Sequence, residues 1–125
     1  MKRPVISTET ASAWMDGNII YYAYKSKEIS LPLAVQSVEL KKQLAQGKEY
    51  PICIDLSQVK SVTKEARQYL SGGQSIENIT VAALLASSVV SKLICTFFLN
   101  FNKPPVMVKI FVHKDEAVKW LNKFL

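Results

Sequence analysis

Residues 51–67 constrain the fold more than any other part of the sequence. Residues 51–56 are apolar and partly β-branched, a pattern typical of a short strand that is covered on both faces. The strand runs through Asp55 into a polar loop, and Thr63 then provides an N-cap for a helix. A strand, loop and helix of this kind belong in an open α/β sheet, which presents its functional groups at the carboxyl ends of its strands.

The rest of the chain continues this alternation. Residues 6–15 and 19–24 are predicted to form an antiparallel hairpin, because Asp16 and Gly17 suit the positive φ angles of a tight turn. A helix is predicted over residues 31–45, with Ser30 as its N-cap and a stop at Gln46-Gly47. The other predicted elements are a helix after Thr63 that ends at Gly72-Gly73, strands over 80–86 and 106–112, and helices from Ser87 or Ser88 to about Asn100 and over 113–125.

The predicted order is β-β-α-β-α-β-α-β-α in a single domain over residues 1–125. Strands that alternate with helices favour an α/β fold, here a mostly parallel sheet with an N-terminal antiparallel hairpin, covered by helices. With 125 residues, 49% of them hydrophobic, the chain is long enough to bury one core without disulfides or metals.

Cysteine usage and the apolar segments bear on the location of the protein. Cys53 and Cys95 form no C-x-x-C pair and no zinc spacing, which indicates buried reduced thiols and a cytoplasmic protein without a metal or other cofactor. The first ten residues lack the apolar core of a signal peptide. Polar residues interrupt the apolar segment 79–101, so no transmembrane helix is predicted there.

The net charge of +6 is spread along the chain. Lys2-Arg3 and Lys41-Lys42 are the only adjacent basic pairs, and aromatic residues are not interleaved with arginines. Nucleic acid is therefore not an expected partner, while weak attraction to anionic partners stays open.

Few residues suit catalysis. His113, the only histidine, follows the last strand without a visible partner for proton transfer. Asp55 could bind magnesium or accept a phosphoryl group, but no acidic cluster accompanies it, and the simpler interpretation is a carboxylate that fixes the turn after its strand. The sequence also lacks a G-x-S-x-G elbow and a P-loop. We therefore predict that the protein is not an enzyme.

Three hydroxyl groups lie in the loop and helix cap after the central strand, at Ser57, Ser61 and Thr63. A phosphate on any of them would lie beside a helix amino terminus, where Lys60, Lys64 and Arg67 could pair with it. Hydroxyls at turns and caps are also common for purely conformational reasons. With Asp55, these residues form the candidate interaction or phosphoacceptor site.

The predicted third helix is apolar almost all round, and a helix of this kind needs two burial partners. Its predicted buried stripe consists of Val90, Ile94, Phe97 and Phe101. The apolar interface candidates that project away from this stripe are Cys95, Phe98 and Leu99. This second face could pack on a helix of the same domain, on a second subunit in a homodimer, or on a lipid or other apolar ligand.

Several motifs spread over nearly the whole chain carry a resemblance. They are Trp14-Met-Asp-Gly-Asn-Ile19, Asp55-Leu-Ser57 with Lys64-Glu-Ala-Arg67, Ala82-Ala-Leu-Leu-Ala-Ser87, Phe97-Phe-Leu-Asn-Phe-Asn-Lys-Pro104, and Ile110-Phe111 with Glu116-Ala-Val-Lys-Trp-Leu121. The chain resembles the STAS domains, the superfamily of anti-sigma-factor antagonists and sulfate-transporter cytoplasmic domains, and looks more closely like a bacterial STAS-like family without an assigned activity. The resemblance implies a non-enzymatic module that binds a protein or a small ligand with the loop and helix after its central strand.

One segment departs from the STAS pattern. Antagonist STAS domains carry Asp-Ser-Ser-Gly where this chain has residues 63–66, so Lys64 or Glu65 replaces the phosphoacceptor serine, depending on the register. Regulation by an anti-sigma kinase at that position is not expected. The leading hypothesis is a cytoplasmic, homodimeric STAS-like regulatory module that binds a protein partner or a small ligand through residues 57–67. The alternative is a carrier of a lipid or apolar metabolite that uses the region of Phe97, Phe98 and Leu99.

Overall fold

The computed structural model describes residues 5–102 and 105–125, except for the side chains of residues 101 and 102. The strands are β1 (Ile6–Ser7), β2 (Ala11–Asp16), β3 (Ile19–Tyr24), β4 (Glu28–Ile29), β5 (Tyr50–Asp55), β6 (Ser61–Val62), β7 (Ile79–Leu85) and β8 (Met107–Phe111). The α-helices are α1 (Leu31–Ala45), α2 (Lys64–Leu70), α3 (Val89–Asn102) and α4 (Lys114–Leu121). Short 3-10 helices cover Gly73–Ile76 and Asn122–Phe124.

Six strands form one sheet in the order β1-β2-β3-β5-β7-β8. The β1–β2 and β2–β3 pairs are antiparallel, whereas β3, β5, β7 and β8 run parallel to one another. Strand β5 lies between β3 and β7, so the central place predicted for the strand before Asp55 is confirmed. The predicted α/β fold, with a mostly parallel sheet and an N-terminal antiparallel hairpin, is also confirmed.

The β2–β3 hairpin turns through Gly17 and Asn18, whose φ angles are 57° and 62°. Asp16 pairs directly with Ile19, so only these two residues form the turn. Two consecutive positive φ angles are what a two-residue hairpin of type I′ requires. The hairpin prediction is confirmed, but the left-handed pair is Gly17-Asn18 and not Asp16-Gly17.

The segment over residues 6–15 forms two strands where one is predicted. The hydroxyl of Thr8 accepts hydrogen bonds from the Thr10 and Ala11 amides at 3.3 and 3.0 Å. These bonds hold a turn that folds β1 back on β2, with Ile6 opposite Ala13. The side chain of Thr8 thus competes with the strand ladder for backbone amides, as threonine commonly does at turns.

Strands β4 and β6 form a separate two-stranded parallel sheet that is absent from the prediction. Glu28 pairs with Ser61 and Ile29 pairs with Val62. This pairing ties the chain before α1 to the loop that follows β5. Strands of two residues are too short to show an alternation of polar and apolar residues in the sequence, so only the tertiary structure reveals them.

Helices α1, α2 and α3 cover one face of the large sheet. Ala34 of α1, Ala66 of α2 and Cys95 of α3 share one buried cluster with Tyr22 and Leu84 of the sheet. Helix α1 spans Leu31–Ala45 as predicted and stops at Gln46, which adopts a left-handed conformation with a φ of 49°. Ser30 occupies the N-cap position, but its side chain makes no cap hydrogen bond.

Helix α4 covers the opposite face of the sheet. Its Ala117 and Leu121 are fully buried against a cluster that includes Cys53. Trp120 is half-buried and Phe124 is 38% exposed, so the predicted stripe is buried mainly through its two aliphatic members. The helix ends at Leu121 and continues as a 3-10 turn, earlier than predicted.

Candidate functional site

The Asp55 side chain stabilises the loop after β5. Its Oδ1 atom accepts a hydrogen bond from the backbone amide of Ser57 at 2.9 Å. A carboxylate bonded to an amide two residues ahead forms an Asx turn. This contact is the turn-fixing role that the simpler interpretation of Asp55 predicts.

Hydrogen bonds hold the loop at Ser61 and Thr63. The Ser61 hydroxyl lies 3.3 Å from Glu28 Oε2 and donates to it, and the Thr63 amide donates to the Ile29 carbonyl at 3.0 Å. Thr63 Oγ1 accepts from the Ala66 amide at 3.2 Å, so Thr63 is the N-cap of α2 as predicted. A phosphate on Ser61 would meet the carboxylate of Glu28, and like charges repel. This contact disfavours the phosphate-switch interpretation at Ser61.

Lys64 and Arg67 lie on the same helix but in different surroundings. The Lys64 side chain is exposed, whereas Arg67 is half-buried with its guanidinium carbon 4.9 Å from the ring centroid of Phe97. Among the described residues the ion pair is Lys42–Glu77, and no acidic side chain pairs with Arg67. The structure therefore joins Arg67 to the apolar region of α3 and leaves Lys64 in solvent.

Helix α3 is rotated about its axis relative to the prediction. Ser91 and Cys95 are its most buried described residues, at 0% and 1% exposure, whereas Val90 and Phe97 are 41% and 45% exposed. The predicted stripe is therefore wrong at Val90 and Phe97, and the side chain of Phe101 lies outside the described residues. Cys95, predicted to face away from the stripe, packs in the core of its own domain, where burial raises the pKa of its thiol to about 11.

The amino terminus of α3 explains this rotation. Ser88 Oγ accepts from the Ser91 amide at 3.0 Å, and Ser91 Oγ accepts from the Ser88 amide at 3.1 Å. This reciprocal cap satisfies the Ser91 hydroxyl inside the protein, so a polar residue occupies a position that hydrophobicity alone assigns to the surface. Phe98 and Leu99 are half-buried.

A cavity of about 130 Å³ lies between the sheet and helices α1–α3. Apolar side chains from every layer line it, among them Ile52 and Leu84 of the sheet, Val38 of α1, Leu70 of α2 and Phe98 of α3. Apolar cavities on the order of 150 Å³ stay free of water and take up small apolar molecules. The cavity therefore has the size and the lining of a site for such a molecule.

The hydroxyl of Tyr22 in the cavity wall has no hydrogen-bond partner. Tyr22 is 3% exposed, and its hydroxyl is the one buried side-chain polar atom of the described residues without a partner. Burial raises the pKa of Tyr22 above its ordinary value, and the neighbouring Tyr24 adds to the shift. Because buried polar groups are almost always hydrogen-bonded, this hydroxyl is available to a bound molecule.

The polar groups beside Tyr22 have partners. Burial raises the pKa of Tyr24 to about 12, and a hydrogen bond with Ser37 partly offsets the shift. Lys41 Nζ donates to the carbonyls of Gln74 and Ser75 at 2.8 and 2.9 Å. Burial, together with the nearby charge of Lys42, lowers the pKa of Lys41 to about 8. Tyr22 thus differs from its neighbours in lacking a partner.

A shallow groove of about 320 Å³ adjoins this cavity on the outside of the protein. The residues that line the groove but not the cavity are Ser61, Leu93 and Phe97. Val62, Arg67 and Ile94 line both the groove and the cavity. These three side chains therefore lie between the two spaces.

Neither Tyr22 nor Lys41 is among the site residues predicted from the sequence. Residues 22 and 24 share one side of β3, because side chains alternate along a strand. Lys41 continues the helical spacing of the buried Ala34 and Val38, a signal that the Lys41-Lys42 pair obscures. His113 occupies the N-cap position of α4 with an exposed side chain that forms no cap hydrogen bond.

No group of three His, Cys, Asp or Glu side chains in the described ranges is placed to hold a metal ion. Within residues 5–102 and 105–125, no helix has the length and apolar character needed to cross a membrane.

Comparisons with known proteins agree with this architecture. Residues 13–125 match the family described as Domain of unknown function (DUF7793). The chain belongs to this family. No curated protein matches this DUF7793 chain.

The DUF7793 chain is similar to two solved structures. One is an uncharacterised protein from the DUF3478 family with a SpoIIAA-like fold, from Shewanella loihica PV-4, with a TM-score of 0.62 and 14% identity over 96% of this chain and 92% of that chain. The other is a protein of unknown function from Arthrobacter sp. FB24, with a TM-score of 0.36 and 23% identity over 93% of this chain and 95% of that chain. The Shewanella protein supports the STAS-like fold that the motifs imply, and at this identity it shows the fold alone.

Proposed function

We propose that this protein is a non-catalytic STAS-like module that binds a small apolar ligand in the cavity between the sheet and helices α1–α3. The observation that carries the proposal is the unpartnered hydroxyl of Tyr22 in the wall of that cavity. Ligand sites are typically apolar, with a few polar groups that orient the ligand. Tyr22 supplies such a group.

The energetics favour an occupied cavity. A buried hydroxyl without a partner costs the folded protein about 1–3 kcal/mol, and a ligand atom that bonds to Tyr22 would recover part of this cost. Burying the apolar body of the ligand adds roughly 25 cal/mol for each Å² removed from water. Both contributions arise only when the ligand is present.

This proposal joins the two predicted sites. Phe98 of the predicted apolar region and Arg67 of the predicted loop and helix site both line the cavity. A regulatory module responds to its ligand by binding a protein partner, whereas a carrier releases its ligand elsewhere. Both functions need a ligand site of this kind. Ser61 and Lys64 are left exposed for a protein partner.

We further propose a cytoplasmic homodimer. The outer face of α3, formed by Val89, Val90, Leu93 and Phe97, is apolar and exposed, with Val89 at 76% and Leu93 at 65%. A second copy that packed on this face would remove these side chains from water. Cys53 and Cys95, which lie in clusters on opposite faces of the sheet, are free thiols, as suits a reducing compartment.

Native mass spectrometry of protein purified without denaturant tests the ligand proposal, since a ligand module is expected to retain a small molecule. Calorimetric titration of protein freed of that molecule with 1-octanol, a neutral apolar probe, then measures the site directly. Ala82→Val adds two methyl groups to the cavity wall, whereas Ala83→Val adds them on the opposite face of β7. We expect Ala82→Val to bind 1-octanol about tenfold more weakly, because overpacking a site costs on the order of 1–3 kcal/mol.

Ala83→Val is the matched control and is expected to bind 1-octanol as the natural protein does. A protein that retains no small molecule and does not bind 1-octanol would overturn the proposal. Equal loss of affinity in both variants would show that the probe binds outside the cavity.

A further inference from the structure

Arg67, together with Val62 and Ile94, lies between the external groove and the cavity. Its side chain lines both spaces and is half-buried. The guanidinium makes no ion pair and no hydrogen bond with another described residue, and it contacts the face of Phe97. A permanently charged fork of five N–H donors therefore stands beside apolar side chains without a hydrogen-bond partner among the described residues.

The surroundings of Arg67 favour an anion. None of the described residues that line the cavity or the groove is acidic, although the groove residue Ser61 donates to Glu28 at 3.3 Å, and Lys41 and Arg67 are both cationic. Lys41 already uses its ammonium group on the carbonyls of Gln74 and Ser75. Arg67 is thus the cation that is free to bind a charged group, and its planar fork matches a carboxylate through two parallel hydrogen bonds.

We infer that the ligand is an apolar carboxylate, with its head group bound by Arg67 at the mouth and its apolar body inside the cavity. The inference rests on the proposed function and deepens it by naming the chemical class of the ligand. Tyr22, elsewhere in the cavity wall, can donate its hydroxyl to a polar atom on the body of the ligand. The outer side of the head group faces the groove.

Paired titrations with octanoate and 1-octanol test this inference at pH 7, because the two probes share an apolar chain and differ in the charge of the head group. We expect the natural protein to bind octanoate about tenfold more tightly than 1-octanol. This factor corresponds to the lower end of the contribution that a charge-assisted hydrogen bond makes. Arg67→Gln is expected to abolish this preference by weakening octanoate and leaving 1-octanol unchanged.

Lys64→Gln is the matched control, because it removes the same charge from the same helix at an exposed side chain. It is expected to leave the affinities for both probes unchanged. Arg67→Lys retains the charge without the fork and is expected to keep part of the preference, which also provides a test if the glutamine variant does not fold.

The outcomes separate this inference from the proposed function. Equal binding of octanoate and 1-octanol by the natural protein would overturn the carboxylate and leave the apolar site standing. Loss of octanoate binding in Lys64→Gln as large as in Arg67→Gln would show general surface attraction and would also overturn it. Failure of both probes to bind would overturn the proposed function itself.

Discussion

Replacing Tyr22 with phenylalanine is expected to stabilise the ligand-free protein. The ring is 3% exposed, and its hydroxyl has no partner among the described residues. Phenylalanine keeps the ring and its edge contact with Tyr24, whose centroid is 4.9 Å away. The variant therefore loses only a group that is costly to bury.

The size of the effect follows from the cost of an unpaired hydroxyl, about 1–3 kcal/mol. We expect Tyr22→Phe to raise the free energy of unfolding by about 1 kcal/mol, the lower end of this range, because the smaller side chain also loses some dispersion contacts. At this chain length a gain of about 1 kcal/mol corresponds to a rise of about 4 °C in the melting temperature. Urea unfolding followed by circular dichroism measures the free energy, and calorimetry measures the melting temperature.

Tyr24→Phe is the matched control on the same strand and the same face. The Tyr24 hydroxyl has a hydrogen bond with Ser37, and losing it is expected to lower the free energy of unfolding by about 1 kcal/mol. The two tyrosines should therefore respond in opposite directions. A destabilised Tyr22→Phe protein would show that the hydroxyl is satisfied in the ligand-free state and would remove the observation on which the proposed ligand site rests.

Three further measurements test other parts of the structure. Burial lowers the pKa of Lys41 from 10.5 to about 8, so the unfolded chain binds more protons at this side chain than the folded protein does between pH 8 and 10.5. The free energy of unfolding of the natural protein, relative to that of Lys41→Met, should therefore rise with pH across this window. A difference that falls with pH would contradict the lowered pKa of Lys41. The Cys95 thiol, whose pKa burial raises to about 11, should react with iodoacetamide at pH 8 far more slowly in the folded protein than in urea, and rapid labelling of the folded protein would refute its burial. Leu93→Glu should halve the mass seen by light scattering and leave the fold of the single chain intact by circular dichroism, since Leu93 is 65% exposed on that chain; a monomeric natural protein would refute the dimer.

Local signals account for most of what could be predicted from the sequence. Helix α1 has the predicted bounds, because Gln46 can adopt the left-handed conformation that ends a helix. Thr63 caps α2 as predicted, because its hydroxyl needs only an amide three residues away. Asp55 fixes its turn through an amide two residues away. Each of these outcomes depends on atoms within a few residues along the chain.

The orientation of α3 could not be predicted in this way. Apolar side chains surround the helix, so periodicity does not show which side faces the sheet. The reciprocal cap between Ser88 and Ser91, together with the space for Cys95 in the core, determines the buried side. Ser91 is fully buried because hydrogen bonds satisfy its hydroxyl, and a hydropathy pattern does not predict the burial of a serine.

The sequence by itself determined the order of the longer strands and the helices, the class of fold and the position of the loop after the central strand, because capping, turn conformation and hydrophobic periodicity act over short distances along the chain. Only the tertiary structure decided that Tyr22 lacks a hydrogen-bond partner among the described residues and that Arg67, in the wall of the cavity, contacts Phe97. These residues come from separate elements, and whether side chains fill the space between elements depends on their joint packing. The candidate site is a property of that packing, which no single segment contains.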